Sequence, residues 1–97
     1  MIATLFEWQV KRGREEEFRH AWSAVTQRLT ALGSLGSALF RSADGHFHGH
    51  ARWPDRATRD AAFSAFTADE ETQRMRDCID ETIRRIDVDE IENFWLF

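Results

Sequence analysis

The chain has 97 residues, of which 42% are hydrophobic and 31% are charged. This length and composition fit one domain over residues 1–97 and exclude a disordered tail. No apolar run approaches the about 20 residues that a membrane-spanning helix needs. The net charge is −4 and the acidic residues are dispersed, so no nucleic-acid surface is indicated. With one cysteine and no signal-peptide pattern, we expect a cytoplasmic protein held together by its core alone.

The aromatic composition is unusual, because 8 Phe and 4 Trp are accompanied by no Tyr. Large rings contribute strongly to the burial energy of a small domain. A chain of this length is only marginally able to support a core of its own. The sequence therefore raises the question of what these rings pack against, and it offers no phenol hydroxyl to anchor a ligand.

The first two predicted elements are a strand and a helix. Residues 2–10 alternate between two faces, which is the pattern of a strand. One face carries Ile2, Phe6, Trp8 and Val10, and the other carries Ala3, Leu5, Glu7 and Gln9. Glutamates 15–17 then occupy a position where the helix dipole favours negative charge. Apolar residues recur at helical spacing from Phe18 to Leu32, so the pattern predicts a helix over 15–32.

A hairpin follows the first helix. The dipeptide Asp44-Gly45 predicts a two-residue turn, because both central positions of a type I′ turn need positive φ. This register pairs Phe40 with Gly49. One face of the hairpin then carries Ala38, Phe40, Phe47, Gly49, Ala51 and Trp53. The opposite face carries Ser37, Leu39, Arg41, His46, His48, His50 and Arg52.

The remaining residues predict two helices and a final strand. A short helix is expected over about 55–66, after Pro54 ends the hairpin. The segment 67–70 has the capping-box pattern that opens a second helix. The apolar stripe of this helix, expected to run to about residue 86, consists of Met75, Cys78, Ile79, Thr82, Ile83 and Ile86. Residues 88–97 are predicted to form the last strand.

This order, β-α-β-β-α(α)-β, predicts a ferredoxin-like α+β fold with a four-stranded antiparallel sheet and helices on one face. The segment 94–97 places apolar side chains on both faces of the last strand. Leu5 and Leu39 add apolar groups to the face that the helices leave uncovered. A sheet with one face in water would not show this pattern, so we expect a homodimer. The alternative is a C-terminus that folds over an edge of the sheet.

Three alternating histidines, His46, His48 and His50, share one face of the predicted strand. Neighbouring members are about 6.5–7 Å apart at Cα, close enough to hold one metal ion together, whereas the outer two are about 13 Å apart. Two interpretations remain open. Either His48 and His50 bind a metal, with Glu7 or histidines of a partner chain as further ligands, or the histidines form a polar strip at the dimer seam. The sequence assigns no metal and no cofactor.

The opposite face of the sheet is rich in rings, and the small residues Gly49 and Ala51 lie at its centre. Aromatic side chains from the helices, among them Phe18 and Trp22, are predicted to point toward it. Either the rings form an ordinary core, or they line a cleft for a flat apolar ligand. No acid or base is predicted on this face.

The segments FEWQVKRGREEEF (6–18) and FHGHARWPDRATR (47–59), with the hairpin, resemble the antibiotic biosynthesis monooxygenase superfamily of dimeric α+β barrels. The matching positions are chiefly Val10, Gly13, Phe18 and Trp53. The resemblance spans essentially the whole chain. It implies a homodimer whose two sheets form a barrel, with a pocket between helices and sheet in each protomer.

Members of this superfamily include cofactor-free oxygenases of aromatic or quinol substrates and haem-degrading enzymes. The asparagine and the haem-ligating histidine of the haem degraders would fall at Phe6 and near Phe63, where neither ring can ligate iron. The resemblance therefore implies a cofactor-independent monooxygenase acting on an aromatic or quinol-like small molecule. The alternative is a non-catalytic small-molecule-binding or accessory dimer. The predicted ligand-binding residues are Phe6, Trp8, Trp22, Trp53 and Phe63.

Overall fold

The computed structural model describes residues 1–65 and 69–94. Its elements are β1 (Ile2–Val10), α1 (Glu15–Ala31), β2 (Gly36–Arg41), β3 (Phe47–Trp53), α2 (Arg56–Ala65), α3 (Glu70–Asp77) and β4 (Ile79–Asp89). The predicted order of strands and helices is confirmed. The bounds of β1 and α1 agree with the sequence prediction to within one residue.

The four strands form one antiparallel sheet in the order β2-β3-β1-β4. This is the predicted ferredoxin-like topology. We call the side of the sheet that packs against the helices the inner face, and on β1 it carries Thr4, Phe6 and Trp8. The opposite side, the outer face, carries Leu5 and Glu7 on β1.

Side chains fix the ends of the helices. Arg14 precedes α1 and pairs with Glu17, with 3.0 Å between Nη2 and Oε2. Arg14 Nη1 also donates to the carbonyl oxygen of Asp77 at 2.9 Å, which ties the start of α1 to the end of α3. Asp69 caps α3 by accepting from the backbone N–H of Thr72 at 3.3 Å. The helix is therefore capped within the segment predicted to open it, 67–70, although Thr67 lies outside the described residues.

The core lies between the helices and the inner face in two clusters. The first consists of Ile2, Val25, Leu29, Ala51, Trp53 and Ala62. The second consists of Trp8, Phe18, Phe47 and Cys78. Met75 packs against both clusters and joins them. Cys78 is a buried free thiol at the end of α3, so its predicted place in the core is confirmed.

The hairpin loop is one residue longer than predicted. The backbone N–H of Ser42 donates to the carbonyl of His46, and that of Gly45 donates to the carbonyl of Ser42, both at 2.9 Å. Residues 43–45 therefore form the loop. Gly45 has a φ of +91°, as expected for a type I turn that ends in a glycine bulge.

The extra loop residue shifts the register of β2 by one position. Phe40 pairs with His48 rather than with Gly49, and Gly49 pairs with Leu39. Because a shift of one residue exchanges the two faces of a strand, the predicted faces of β2 are wrong. Leu39 packs on the core, whereas Phe40 is 57% exposed on the outer face.

The predicted boundary between the last helix and the last strand is also wrong. The helix α3 ends at Asp77, not near residue 86, and β4 runs from Ile79 to Asp89 instead of over 88–97. Two register shifts in the pairing with β1 leave Asp80 and Ile83 unpaired as bulges. Each bulge adds a residue between inner-face positions, so these positions fall at 79, 82 and 85. This spacing of three imitates a helix.

The chain beyond β4 is described only to residue 94. The backbone N–H of Glu90 donates to the carbonyl of Met1 at 3.1 Å, and residues 90–94 belong to no strand. Residues 95–97 and Phe66 lie outside the described residues. The homodimer argued from the segment 94–97 therefore stays a prediction. Among the described helices, none is both long and apolar enough to cross a membrane.

Candidate ligand-binding site

A cavity of about 590 Å³ lies between the helices and the inner face. Its aromatic lining consists of Phe6, Trp8, Trp22 and Phe63. Aliphatic lining comes from Val25, Leu29, Met75 and Ile79. Small-molecule sites usually measure about 300–1,000 Å³ and have mostly apolar walls. The space beside these four predicted ligand-binding residues is therefore open and large enough for an aromatic compound.

Stacked rings form one wall of the cavity. Phe6 and Trp8 stack with centroids 4.9 Å apart and an angle of 13° between planes, and Trp8 meets Phe18 edge-on at 5.4 Å. Gly49 lies beneath Trp8, where an added Cβ would be 2.7 Å from the indole Cη2. The room expected at Gly49 is therefore filled by the Trp8 ring, and Trp8 needs a glycine at this position.

Trp53 occupies the core rather than the wall of the cavity. Its side chain is fully buried, and its ring meets Phe63 edge-on with 5.7 Å between centroids. The indole Nε1 has no hydrogen-bond partner among the described residues. Trp53 thus packs against Phe63 from within the core. The geometry does not favour the predicted direct contact between Trp53 and a ligand.

Arg85 brings a positive charge to the aromatic wall. It lies on β4 opposite Phe6. Its guanidinium carbon is 5.6 Å from the Phe6 ring centroid and 5.5 Å from that of Phe63. Contacts of this kind attract the cation to the ring faces and hold it beside them. The cavity lining therefore includes an exposed cation beside two aromatic rings, on the edge strand β4.

Other charged groups line the cavity as well. They are Asp60 on α2 and Arg76 on α3. Asp60 Oδ1 accepts from Arg59 Nε at 3.1 Å, while the Asp60 side chain stays 65% exposed. The cavity lining thus combines mostly apolar side chains with charges of both signs.

An ion pair with a buried arginine joins α2 to β4. The Arg59 side chain, 7% exposed, pairs with Asp87 through Nη1. The same nitrogen donates to Thr4 Oγ1 at 3.0 Å, and Thr4 Oγ1 donates to Asp87 at 3.1 Å. Arg56 holds the second carboxylate oxygen of Asp87 at 3.0 Å. This network fixes the two elements that carry Phe63 and Arg85.

Of the three histidines, His46 and His48 are not among the described residues that line the cavity, whereas His50 is. His48 and His50 pair with Glu7 and Leu5 on β1, which places them on the outer face. His48 Nε2 contacts Ser42 Oγ at 2.9 Å. His46 Nδ1 contacts Glu7 Oε2 at 2.8 Å, and this hydrogen bond raises the pKa of His46 above its ordinary value. The Glu7 carboxylate thus contacts His46, although Glu7 is the register partner of His48.

The cavity lining includes three charged residues that the sequence pattern does not place there, namely Asp60, Arg76 and Arg85. The sequence pattern does not reveal Arg85, because its helical spacing predicts a helix up to about residue 86 and because the bulges in β4 are needed to bring Arg85 opposite Phe6. Arg59 and Asp60 were missed because the segment around them has the composition of an exposed helix face. The signal that the sequence does contain is the spacing of Arg85 and Asp87, which are two residues apart, as are side chains on the same face of a strand.

Comparison with known proteins shows the fold but gives no match in sequence. No family model matches the chain, and no curated protein matches it significantly. Among solved structures, SnoaB, a cofactor-independent oxygenase from Streptomyces nogalater, is 14% identical with a TM-score of 0.82. The match covers 96% of this chain and 95% of that chain.

Two further structures have the same fold. Rv0793 from Mycobacterium tuberculosis is 14% identical, with a TM-score of 0.79 and coverage of 97% of this chain and 98% of that chain. A Bordetella bronchiseptica protein, provisionally named an antibiotic biosynthesis monooxygenase, is 20% identical. Its TM-score is 0.78, and the match covers 94% of this chain and 97% of that chain. The chain therefore has the fold of antibiotic biosynthesis monooxygenase structures, which confirms the resemblance at the level of fold.

Proposed function

We propose that the cavity binds a flat aromatic or quinol-like molecule and that the protein oxygenates this molecule without a bound cofactor. The observation that carries the proposal is the Arg85 guanidinium, held over Phe6 and Phe63 at the cavity wall. The rings suit a planar apolar body, and the cation suits an acidic oxygen on it. The fold shared with SnoaB, a cofactor-independent oxygenase, supports the same assignment.

The proposed reaction uses electrons from the substrate. A bound phenol or enol loses its proton, and Arg85 stabilises the resulting anion electrostatically in the apolar cavity. Asp60 is the carboxylate that the described cavity lining offers as proton acceptor. The electron-rich anion then reduces O2. One ring C–H carbon of the phenol becomes C=O with one oxygen atom, and the other oxygen atom leaves as water with the hydrogens of that C–H and of the phenol O–H, so no external reductant is needed.

Neutralising Arg85 is expected to weaken binding of an acidic aromatic compound. We expect the dissociation constant for a hydroquinone or naphthol to rise at least about tenfold in Arg85→Gln, since a hydrogen bond to a charged group contributes about 1.5–3 kcal/mol. Arg84→Gln is the matched control, because Arg84 is the preceding residue of β4 and pairs with Glu7 on the outer face. Quenching of tryptophan fluorescence measures binding.

Two results of this titration would contradict the assignment. One is equal weakening in Arg84→Gln and Arg85→Gln, and the other is no saturable binding by the wild-type protein. Oxygen uptake is followed with the same compounds. Saturable binding that depends on Arg85 without oxygen uptake would identify the alternative function, a non-catalytic binding protein.

We propose further that the working unit is a homodimer formed through the outer face. A row of residues crosses all four strands on this face: Ala38, His50, Leu5 and Ile86. Ile86 is 39% exposed, and Phe40 beside this row is 57% exposed. Apolar groups on a sheet face without a helix are best buried against a second copy of the same face, as the fold resemblance implies.

Placing a charge on this face should separate the copies. We expect sedimentation of the wild-type protein to give about twice the chain mass of 11.4 kDa, and Ile86→Glu to sediment as a monomer, because a buried interface does not accept an unpaired carboxylate. Ile91→Glu is the control, since Ile91 follows β4 and is 85% exposed. A wild-type monomer at micromolar concentration, or a dimer that persists in Ile86→Glu, would refute the outer-face interface.

A further inference from the structure

Three side chains of types that can bind a metal ion converge at the loop end of the outer face, on the side of the sheet opposite the helices. They are Glu7 from β1 and Asp44 and His46 from the β2–β3 connection. One ligand atom from each lies within 4.8 Å of the others. Two separate segments of the chain thus bring an imidazole nitrogen and two carboxylate oxygens to one point.

The distances in this group suit ligands that share a single ion. His46 Nδ1 is 2.8 Å from Glu7 Oε2 and 3.6 Å from Asp44 Oδ2. Ligand atoms about 2.0–2.1 Å from a tetrahedral zinc ion lie about 3.3 Å from one another. The two observed separations bracket this value. Small rotations of the side chains would therefore bring the three atoms to bonding distance of one ion.

The connection between β2 and β3 holds Asp44 in a defined orientation. Asp44 Oδ1 accepts from the backbone N–H of His46 at 3.1 Å and from the hydroxyl of Ser42. These bonds leave Oδ2 as the carboxylate oxygen on the side of the His46 ring. His48 contacts the same Ser42 hydroxyl at 2.9 Å, which supports the arrangement from the neighbouring strand.

The charge of the group suits a divalent cation. Two carboxylates and a neutral imidazole sum to −2. Glu7 and His46 keep 21% and 27% of their side-chain surface exposed, and Asp44 keeps 62%. Arg84, which lies opposite Glu7 on β4, is exposed to solvent. Mixed nitrogen and oxygen donors favour first-row transition ions over Mg²⁺ and Ca²⁺, which prefer oxygen alone.

We propose that Glu7, Asp44 and His46 form a binding site for one first-row divalent metal ion, of which Zn²⁺ fits the donor set well, with water in the fourth position. A bound ion would link the hairpin loop to β1. It is separate from the aromatic cavity and does not depend on the proposed oxygenase function. It also replaces the pair considered from sequence, since His48 is directed to Ser42 and it is His46 that meets Glu7.

The test is a calorimetric titration of ZnCl2 into tag-free protein that has been stripped with a chelator and dialysed. We expect one Zn²⁺ per chain. Loss of partners that only orient a ligand weakens metal affinity about 10–100-fold, so Glu7→Gln and His46→Gln should each weaken binding by about 100-fold or more. Co²⁺ should give the visible absorption of a tetrahedral site in the wild-type protein and lose it in both variants.

Controls separate this site from adventitious binding. His20→Gln removes an exposed histidine of α1 and should leave the titration unchanged, and His50→Gln should do the same. Circular dichroism checks that each variant is folded. The proposal is overturned if the wild-type protein shows no saturable binding. It is also overturned if His20→Gln or His50→Gln weakens binding as much as His46→Gln does.

Discussion

Replacing Trp53 by alanine is expected to destabilise the protein by about 3–5 kcal/mol, the usual cost of removing a large ring from a core. Trp53 is fully buried, belongs to the first core cluster and packs edge-on against Phe63. Loss of the ring would leave a cavity beside Ala51 and Ala62, which are too small to fill it. Urea unfolding measures the loss as a lower midpoint.

Trp53→Phe is the matched control for this substitution. It keeps an aromatic ring and removes the indole N–H, which has no partner among the described residues. Because no hydrogen bond is lost, we expect Trp53→Phe to retain most of the stability and to bind aromatic ligands as the wild type does. A stable Trp53→Ala protein that has lost ligand binding would show instead that Trp53 contacts the ligand directly.

Removing the Arg59 guanidinium is expected to cost about 3 kcal/mol in Arg59→Met, the lower end for a broken buried ion pair. The lower end applies because Asp87 is 28% exposed and keeps its contact with Arg56. The double variant Arg59→Met/Asp87→Val should recover part of this loss, since no buried charge is left unpaired. Equal midpoints in urea for Arg59→Met and the wild type would show that the pair contributes nothing.

The same pair gives the protein a sensitivity to acid. Burial opposes ionisation of Asp87, but hydrogen bonds from Thr4 and Arg59 outweigh it and hold the pKa of Asp87 below its ordinary value of 3.8. A pKa that is lower in the folded state gives stability above about pH 4, which is lost as pH falls through the folded-state value. The urea midpoint should therefore fall more steeply below pH 4 in the wild type than in Asp87→Asn. Equal slopes would contradict this account.

Local patterns in the sequence predict much of this fold, because they report the elements that pack most regularly. The alternation of Ile2, Phe6 and Trp8 correctly predicts a strand, and the helical stripe from Phe18 onward correctly predicts a helix. The predicted bounds of both elements are nearly correct. Both elements have one face in the core, so hydrophobicity repeats with the period of the backbone. The order of elements and the antiparallel sheet follow from these patterns and from short connections.

Irregularities in the backbone explain what the sequence did not predict. One additional residue in the loop 43–45 exchanges Leu39 and Phe40 between faces. Two bulges at Asp80 and Ile83 give β4 the apparent spacing of a helix. Hydrophobic patterning contains no information about a single inserted residue, because the choice depends on turn geometry and on the partner strand.

Only the apolar residues of the candidate site could be predicted from the sequence. Phe6, Trp8, Trp22 and Phe63 are large apolar residues on predicted inward faces, and all four line the cavity. The placement of the charged residues depends on which strand lies at the edge of the sheet. Predicting this placement requires the correct start of β4. For this reason the sequence pattern alone does not reveal Arg85, on which the proposed chemistry of the site depends.

The most direct test of the proposed activity is oxygen transfer from labelled O2. Chelator-treated protein is incubated under ¹⁸O2 with the hydroquinone or phenol that binds most tightly, beside a protein-free control. We predict uptake of one O2 per product formed and one ¹⁸O atom in each product, with a rate that falls in Arg85→Gln and not in Arg84→Gln. Saturable binding with no uptake above the protein-free rate, or a product without ¹⁸O, would contradict a cofactor-independent monooxygenase.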